Sequence, residues 1–378
     1  MKYNEKEVSQ VEYKESDLVR IAKRENNPKR GYLVVNPLQG KHIPVSPSRA
    51  LELFSALADT FTYDYRDERL LLVGFAETAT AIGAQAAICA NAKYIQTTRE
   101  TIPDVEYLFF SEEHSHATEQ KLVKDDIDAA ADKIDRIVFI EDEVTTGKTI
   151  LNIITILEKK YPGAFKYSVA SLLNGMNEES LSLYSKNGIP LYYLVKTEHS
   201  GYEEKAAGYN ADGIYYDVDL SEDGTGCYTY MEACGAENSR RLVDSADYLN
   251  ACKELWAKIH KNIGDIKDST ILVAGTEETM FPALYVGSML ENSGNTVLCH
   301  STTRSPIAVS KENNYPLHER YELRSLYDSE RKTFIYDIGE YDYVFIVTDA
   351  PKAETEGVRT LVNALSKKNK NITLIRWC

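Results

Sequence analysis

Glu141 and Asp142 stand side by side after the apolar run "RIVFI", and Thr145-Thr146-Gly147-Lys148-Thr149 follows them. Adjacent carboxylates accept hydrogen bonds from vicinal hydroxyls. A short Thr/Gly loop that opens a helix holds one phosphate with its backbone N–H groups, its hydroxyls and the positive end of the helix. A diol on one side and a phosphate on the other describe a ribose 5-phosphate. The two acids would also meet a metal only indirectly, through a Mg²⁺-bound substrate or water.

Other residues could complete such a site. "VGFAETAT" (73–80) ends an apolar strand, and its small residues Gly74, Ala76 and Ala79 let backbone at Phe75, Ala76, Glu77 and Thr78 approach an anion. Glu77 is unwelcome there unless a Mg²⁺ or a protein cation intervenes, and Mg²⁺ is the expected one. "SEEHSHATEQK" (111–121) offers Glu112, Glu113, His114 and His116 as proton carriers or ligands. The two histidines could instead bind metal or stand solvated. Arg99 faces the same anion or forms a structural ion pair. Thr303, Arg304 and Ser305 could bind an anion, with Glu277 and Glu278 beside them; packing and an Arg–Glu pair is the plain alternative. "GKT" also ends a nucleotide-binding P-loop, but that loop needs glycine where Asp142 stands.

The elements that position these groups alternate. "LLLVGF", "YIQTTRE", "RIVFIED", "FKYSVASLLN" and "LYYLVKT" read as buried strands with helical segments between them, which implies a parallel sheet covered on both faces. Ser46 and Pro47 predict a helix start, with Ser46 as its cap. A second such unit begins near "STILVAG". "LVGFAETATAIGAQ" parallels "LVAGTEETMFPALY", "YIQTTR" parallels "LCHSTTR", and "RIVFIEDEVTTGKT" parallels "DYVFIVTDAPKAET". The order is kept, which predicts a duplication whose second copy has lost the acid pair and the Thr-Gly loop. Residues 205–240 read as a connector.

The net charge of −15 argues against a general nucleic-acid binder. No run approaches a membrane span and no signal peptide is legible, so no membrane partner is expected. The six cysteines lie scattered, which makes a reducing cytoplasm the expected location.

The "VFIEDEVTTGKT" stretch resembles the ribose-phosphate motif of type I phosphoribosyltransferases, with Lys148 where many members carry Gly or Thr. "HSTTRSPI", "GTEET" and "YDYVFIVTDAP" resemble the TRSP domain fused behind such enzymes in bacterial tellurite-resistance and stress-response clusters. The resemblance implies an α/β fold: a type I phosphoribosyltransferase-like parallel sheet with helices on both faces, followed by a second α/β (TRSP) domain of duplicated, degenerate topology. It divides the chain into a 1–30 arm, a 31–204 phosphoribosyltransferase domain, a 205–240 connector and a 241–378 TRSP domain. It implies a pyrophosphate-binding loop at 73–80, a loop over the active site at 111–121, and a Mg²⁺-dependent enzyme that moves ribose 5-phosphate between phosphoribosyl pyrophosphate, or a nucleotide, and an unknown acceptor. A homodimer is compatible with it. The alternatives are a non-catalytic sensor of the same ligands and a non-enzymatic assembly factor.

Overall fold

The computed structural model describes residues 12–25, 30–110, 120–220 and 227–378. Two parallel sheets organise them. The first holds β1 (Leu70–Gly74), β2 (Lys93–Gln96), β3 (Arg136–Val144), β4 (Lys166–Asn174) and β5 (Leu191–Lys196), in the order β2-β1-β3-β4-β5, with the two-residue strand Val243–Asp244 antiparallel on the outer edge of β2. The second holds β6 (Tyr228–Ala233), β7 (Thr270–Gly275), β8 (Thr296–Ser301), β9 (Tyr343–Thr348) and β10 (Ile372–Trp377), in the order β8-β7-β9-β10-β6.

The helices that matter below are α1 (Pro47–Asp59), α2 (Thr80–Ala90), α3 (Lys148–Lys160), α4 (Ser245–Ile263), α5 (Phe281–Asn292) and α6 (Glu356–Ser366). Every residue of β1 is buried, as a strand covered on both faces requires. The step from β1 to β2 runs one way across the sheet and that from β3 to β4 the other. Right-handed crossovers therefore put α2 and α3 on opposite faces.

The core order β2-β1-β3-β4 recurs as β8-β7-β9-β10, as the duplication predicts. The register corrects the alignment read from the sequence by one residue. Gly74 pairs with Gln96 and Ile140, while Gly275 pairs with Ser301 and Val347. Gly74 therefore matches Gly275, Glu77 matches Glu278, and Asp142 matches Asp349. The second copy has kept one member of the acid pair, and Thr348 stands in the place of Glu141.

Residues outside the two cores are used as well. Arg20–Lys23 pairs antiparallel with Tyr32–Val35. Within 205–240, Ile214–Tyr216 pairs with Glu319–Arg324 and β6 forms the edge of the second sheet. At α1, Pro47 occupies the first turn as expected, and Ala50, Leu53, Phe54, Leu57 and Ala58 are buried on one face. Ser46 does not cap that helix with its side chain. Its hydroxyl donates to Glu291 of α5 (2.6 Å), and the same carboxylate accepts the Ser48 N–H (3.0 Å). A carboxylate from the other half takes over the capping, because it carries a full charge against the helix N-terminus.

Candidate active site

β3 runs through Glu141, Asp142 and Glu143 to Val144, so the acids lie on a strand end and not in a loop. The chain then turns at Gly147, with φ +70°, into α3. Only glycine fits there. A Cβ would lie 2.4 Å from the Tyr184 hydroxyl and 2.6 Å from Met176 Cε, and that hydroxyl donates to the Gly147 carbonyl (2.7 Å). Thr145, Thr146, Gly147, Lys148 and Thr149 thus wrap the N-terminus of a thirteen-residue helix, with Lys148 exposed at its first turn. Anions are stabilised at such an end.

Asp142 accepts the Thr78 hydroxyl (2.8 Å), which ties the acid pair to the 75–79 loop. Burial pushes its carboxyl up to about 6; the neighbouring Glu143 adds to this and the Thr78 hydrogen bond opposes it. Glu143 pairs with Arg30 (2.8 Å) and lies 3.2 Å from His199 Nε2. Arg30 stacks over Tyr32, whose hydroxyl meets His199 Nδ1 (2.8 Å). These side chains come from both segments that flank the acids' edge of the sheet. Neither His199 nor Arg30 was singled out by motif, and their long separation in sequence gave no signal.

The 75–79 loop divides its predicted residues. Phe75 turns inward against Phe110 and Phe139, and its N–H bonds the Ile140 carbonyl (3.1 Å). The Ala76 N–H bonds Thr97 (2.8 Å) and that of Ala79 bonds the Phe75 carbonyl (2.9 Å). Among the described residues, the amides of Glu77 and Thr78 are left facing no protein acceptor. The peptide between Ala76 and Glu77 is cis.

Glu77 itself is buried and already has its cations. Lys41 lies 3.0 Å and Arg304 3.3 Å away, and the Thr303 hydroxyl (2.8 Å) and Arg304 N–H (3.1 Å) donate to it. Burial alone would raise this carboxyl, but Lys41 and Arg304 hold it down to about 2. Protein cations therefore stand beside Glu77, where the sequence had suggested Mg²⁺.

Arg304 pairs through Nε and Nη2 with Glu77, Glu100, Glu277 and Glu278, while its buried Nη1 has no hydrogen-bond partner. Arg331 joins Glu100 and Glu277. A guanidinium compensated by four carboxylates offers little net attraction to a phosphate, which favours the ion-pair alternative for Thr303 and Arg304. Ser305 turns its N–H to Thr303 and its carbonyl to Tyr336. The Arg99 N–H donates to Glu278 (3.0 Å). Glu112, Glu113, His114 and His116 lie outside the described residues.

The second half repeats the geometry with a different filling. Thr279 donates to Asp349 as Thr78 does to Asp142. There the Arg240 guanidinium spans Asp349 and Glu278, and the Tyr327 hydroxyl donates to Asp349 (2.6 Å). The second cradle is occupied by the chain's own side chains.

Among the described residues no group of three or more His, Cys, Asp or Glu could hold a metal by itself, and no helix is long and apolar enough to cross a membrane. A family model described as phosphoribosyl transferase matches residues 18–195, and one described as the TRSP domain, C terminus to that family, matches 241–365. The comparison with curated proteins returned no match. Among solved structures, adenine phosphoribosyltransferase from Rhodothermus marinus is similar at 14% identity and TM-score 0.34, over 48% of this chain and 96% of that one. The Trypanosoma brucei adenine enzyme, solved with AMP, pyrophosphate and ribose-5-phosphate, gives 15% and 0.36 over 52% and 82%. Orotate phosphoribosyltransferase from Aeropyrum pernix gives 15% and 0.32 over 52% and 95%. These likenesses are too distant to assign a substrate.

Proposed function

From a chain that joins a phosphoribosyl transferase domain at 18–195 to a TRSP domain at 241–365, we propose transfer of ribose 5-phosphate from phosphoribosyl pyrophosphate to an acceptor, or the reverse, in making a nucleotide- or nucleoside-like metabolite. The observation that carries this is the single edge where Glu141, Asp142 and the helix-opening 145–149 loop meet.

The 145–149 loop holds the 5-phosphate. Glu141 and Asp142 accept from the ribose hydroxyls. The amides of Glu77 and Thr78 face the diphosphate. The bond from C1 to the diphosphate oxygen breaks as the acceptor's bond to C1 forms, through a cation-like sugar whose charge the nearby acids stabilise. Fixing both phosphates holds C1 in place for that exchange. Mg²⁺ would neutralise the leaving diphosphate. Glu141 and Asp142, two carboxylates at one strand end, would meet such a metal through sugar hydroxyls or water. The Arg30–Tyr32–Glu143–His199 cluster, joined to the acid run through Glu143, would meet the acceptor.

Incubation with phosphoribosyl pyrophosphate, Mg²⁺ and a metabolite panel, read by pyrophosphate release, tests this. At least one acceptor should give release that Glu141→Ala with Asp142→Ala abolishes. Binding without release for any acceptor would make the protein a sensor, and no binding would leave the assembly reading.

A further inference from the structure

We infer that the C-terminal half is a resident dimer partner, a degenerate copy docked on the first about a pseudo-twofold axis, whose Thr303 and Arg304 position the diphosphate loop through Glu77. This role rests on the transfer reading above.

In a twofold interface, if one element touches a second element's counterpart, the reverse contact exists too. That exchange occurs here at every level. Each half has a helix before its first core strand, α1 and α4. Helix α1 packs on α5, its counterpart α4 packs on α2, and α2 and α5 pack on each other. Just before those helices, Val45 bridges Cys299 of β8 and Val243 bridges Tyr94 of β2, at matching registers in the opposite sheets. The side chains repeat the pattern. The Thr303 hydroxyl and Arg304 N–H hold Glu77, at 2.8 and 3.1 Å. The Thr98 hydroxyl and Arg99 N–H hold Glu278, at 2.7 and 3.0 Å. Within each half the local bond is also kept: Ala76 N–H to Thr97 (2.8 Å) and Glu277 N–H to Thr302 (3.0 Å).

The symmetry is broken where function would break it. Arg240 fills the second cradle between Asp349 and Glu278. The first has Asp142 on a Thr78 bond, at the strand end that leads into the Thr-Gly loop. The latch then has different consequences on the two sides. Around Glu278 it completes a closed core. Around Glu77 it draws a carboxylate into the junction and away from the loop amides, so that a diphosphate meets N–H groups and not a free negative charge.

Matched variants separate these roles. Thr303→Val removes the hydroxyl donor to Glu77, and Thr98→Val removes its counterpart to Glu278. In the ligand-free full chain, hydrogen exchange should rise at 75–79 in the first variant and at 276–279 in the second, and Thr303→Ser should restore protection. With Mg²⁺ present, phosphoribosyl pyrophosphate should bind about tenfold more weakly to Thr303→Val and within about twofold of wild type to Thr98→Val. Equal affinity losses, or a loosened 75–79 loop with unchanged affinity, would overturn the positioning role. If the wild-type protein binds no phosphoribosyl pyrophosphate, the transfer reading falls and with it the positioning. The exchange data still judge the latch in that case: reciprocal loosening supports it, and unchanged exchange overturns it.

Discussion

Asp142 carries the sharpest consequence at the scale of a single residue. Burial lifts its carboxyl to about 6, with Glu143 adding to the shift. Only the ionised form accepts from both ribose hydroxyls. Affinity for phosphoribosyl pyrophosphate should therefore rise as pH passes upward through about 6, and Asp142→Asn should flatten that rise, staying near wild type at pH 5 and falling below it at pH 8. Titrations between pH 5 and 8 read this directly. The stability contribution has the opposite sign. A raised folded value favours the protonated native state, so that contribution is present below the unfolded value of 3.8 and is lost as pH rises through about 6. The strand before the acids and the helix opened at Gly147 were legible because their signals are local to one stretch. The partners of Glu77 were not. Lys41 and Arg304 lie far from it in sequence, and an isolated Glu in a small-residue loop reads as a metal-linked group when its cations are out of view.

Among the elements, the junction between the two strand-end clusters decides stability. Glu77 and Glu278 are buried and Asp349 is half-buried, and Lys41, Arg240 and Arg304 compensate them. Removing one partner of a buried pair leaves an uncompensated charge, which costs about 3–5 kcal/mol. Arg304→Met should lower stability by about that amount in chemical denaturation, whereas replacing an exposed arginine such as Arg66 should cost under about 1 kcal/mol. The same groups set the acid limit. Burial opposes ionisation of Glu77 and Glu278, but their arginine and lysine neighbours depress both to about 2 from an ordinary 4.5. Their contribution is therefore present above about 4.5 and is lost as pH falls from there towards 2. The strands themselves were readable, since apolar runs ending in small residues have few other uses. Their register was not. Two similar apolar strings align equally well with a one-residue slip, and only the pairing of Gly74 with Ile140 and Gly275 with Val347 resolves it. That slip concealed Asp349 as the surviving acid.

For the whole molecule, the two halves form one asymmetric unit of function. Repetition of strand order builds a second cradle, and Arg240 fills it. Only the first half keeps an acid pair, a Thr-Gly loop and a helix N-terminus together. The sequence pointed to the repetition. It could not reveal the exchange of contacts across the junction, because reciprocity is a property of two surfaces and not of either string. One ribose-phosphate site is expected per chain, at the carboxyl end of β3. Calorimetric titration of the full chain with phosphoribosyl pyrophosphate and Mg²⁺ tests this. It should give one site per chain, and Glu141→Ala with Asp142→Ala should lose binding at least about a hundredfold, or roughly 2.7 kcal/mol. Undiminished binding by that variant, or two equivalent sites per chain, would contradict it.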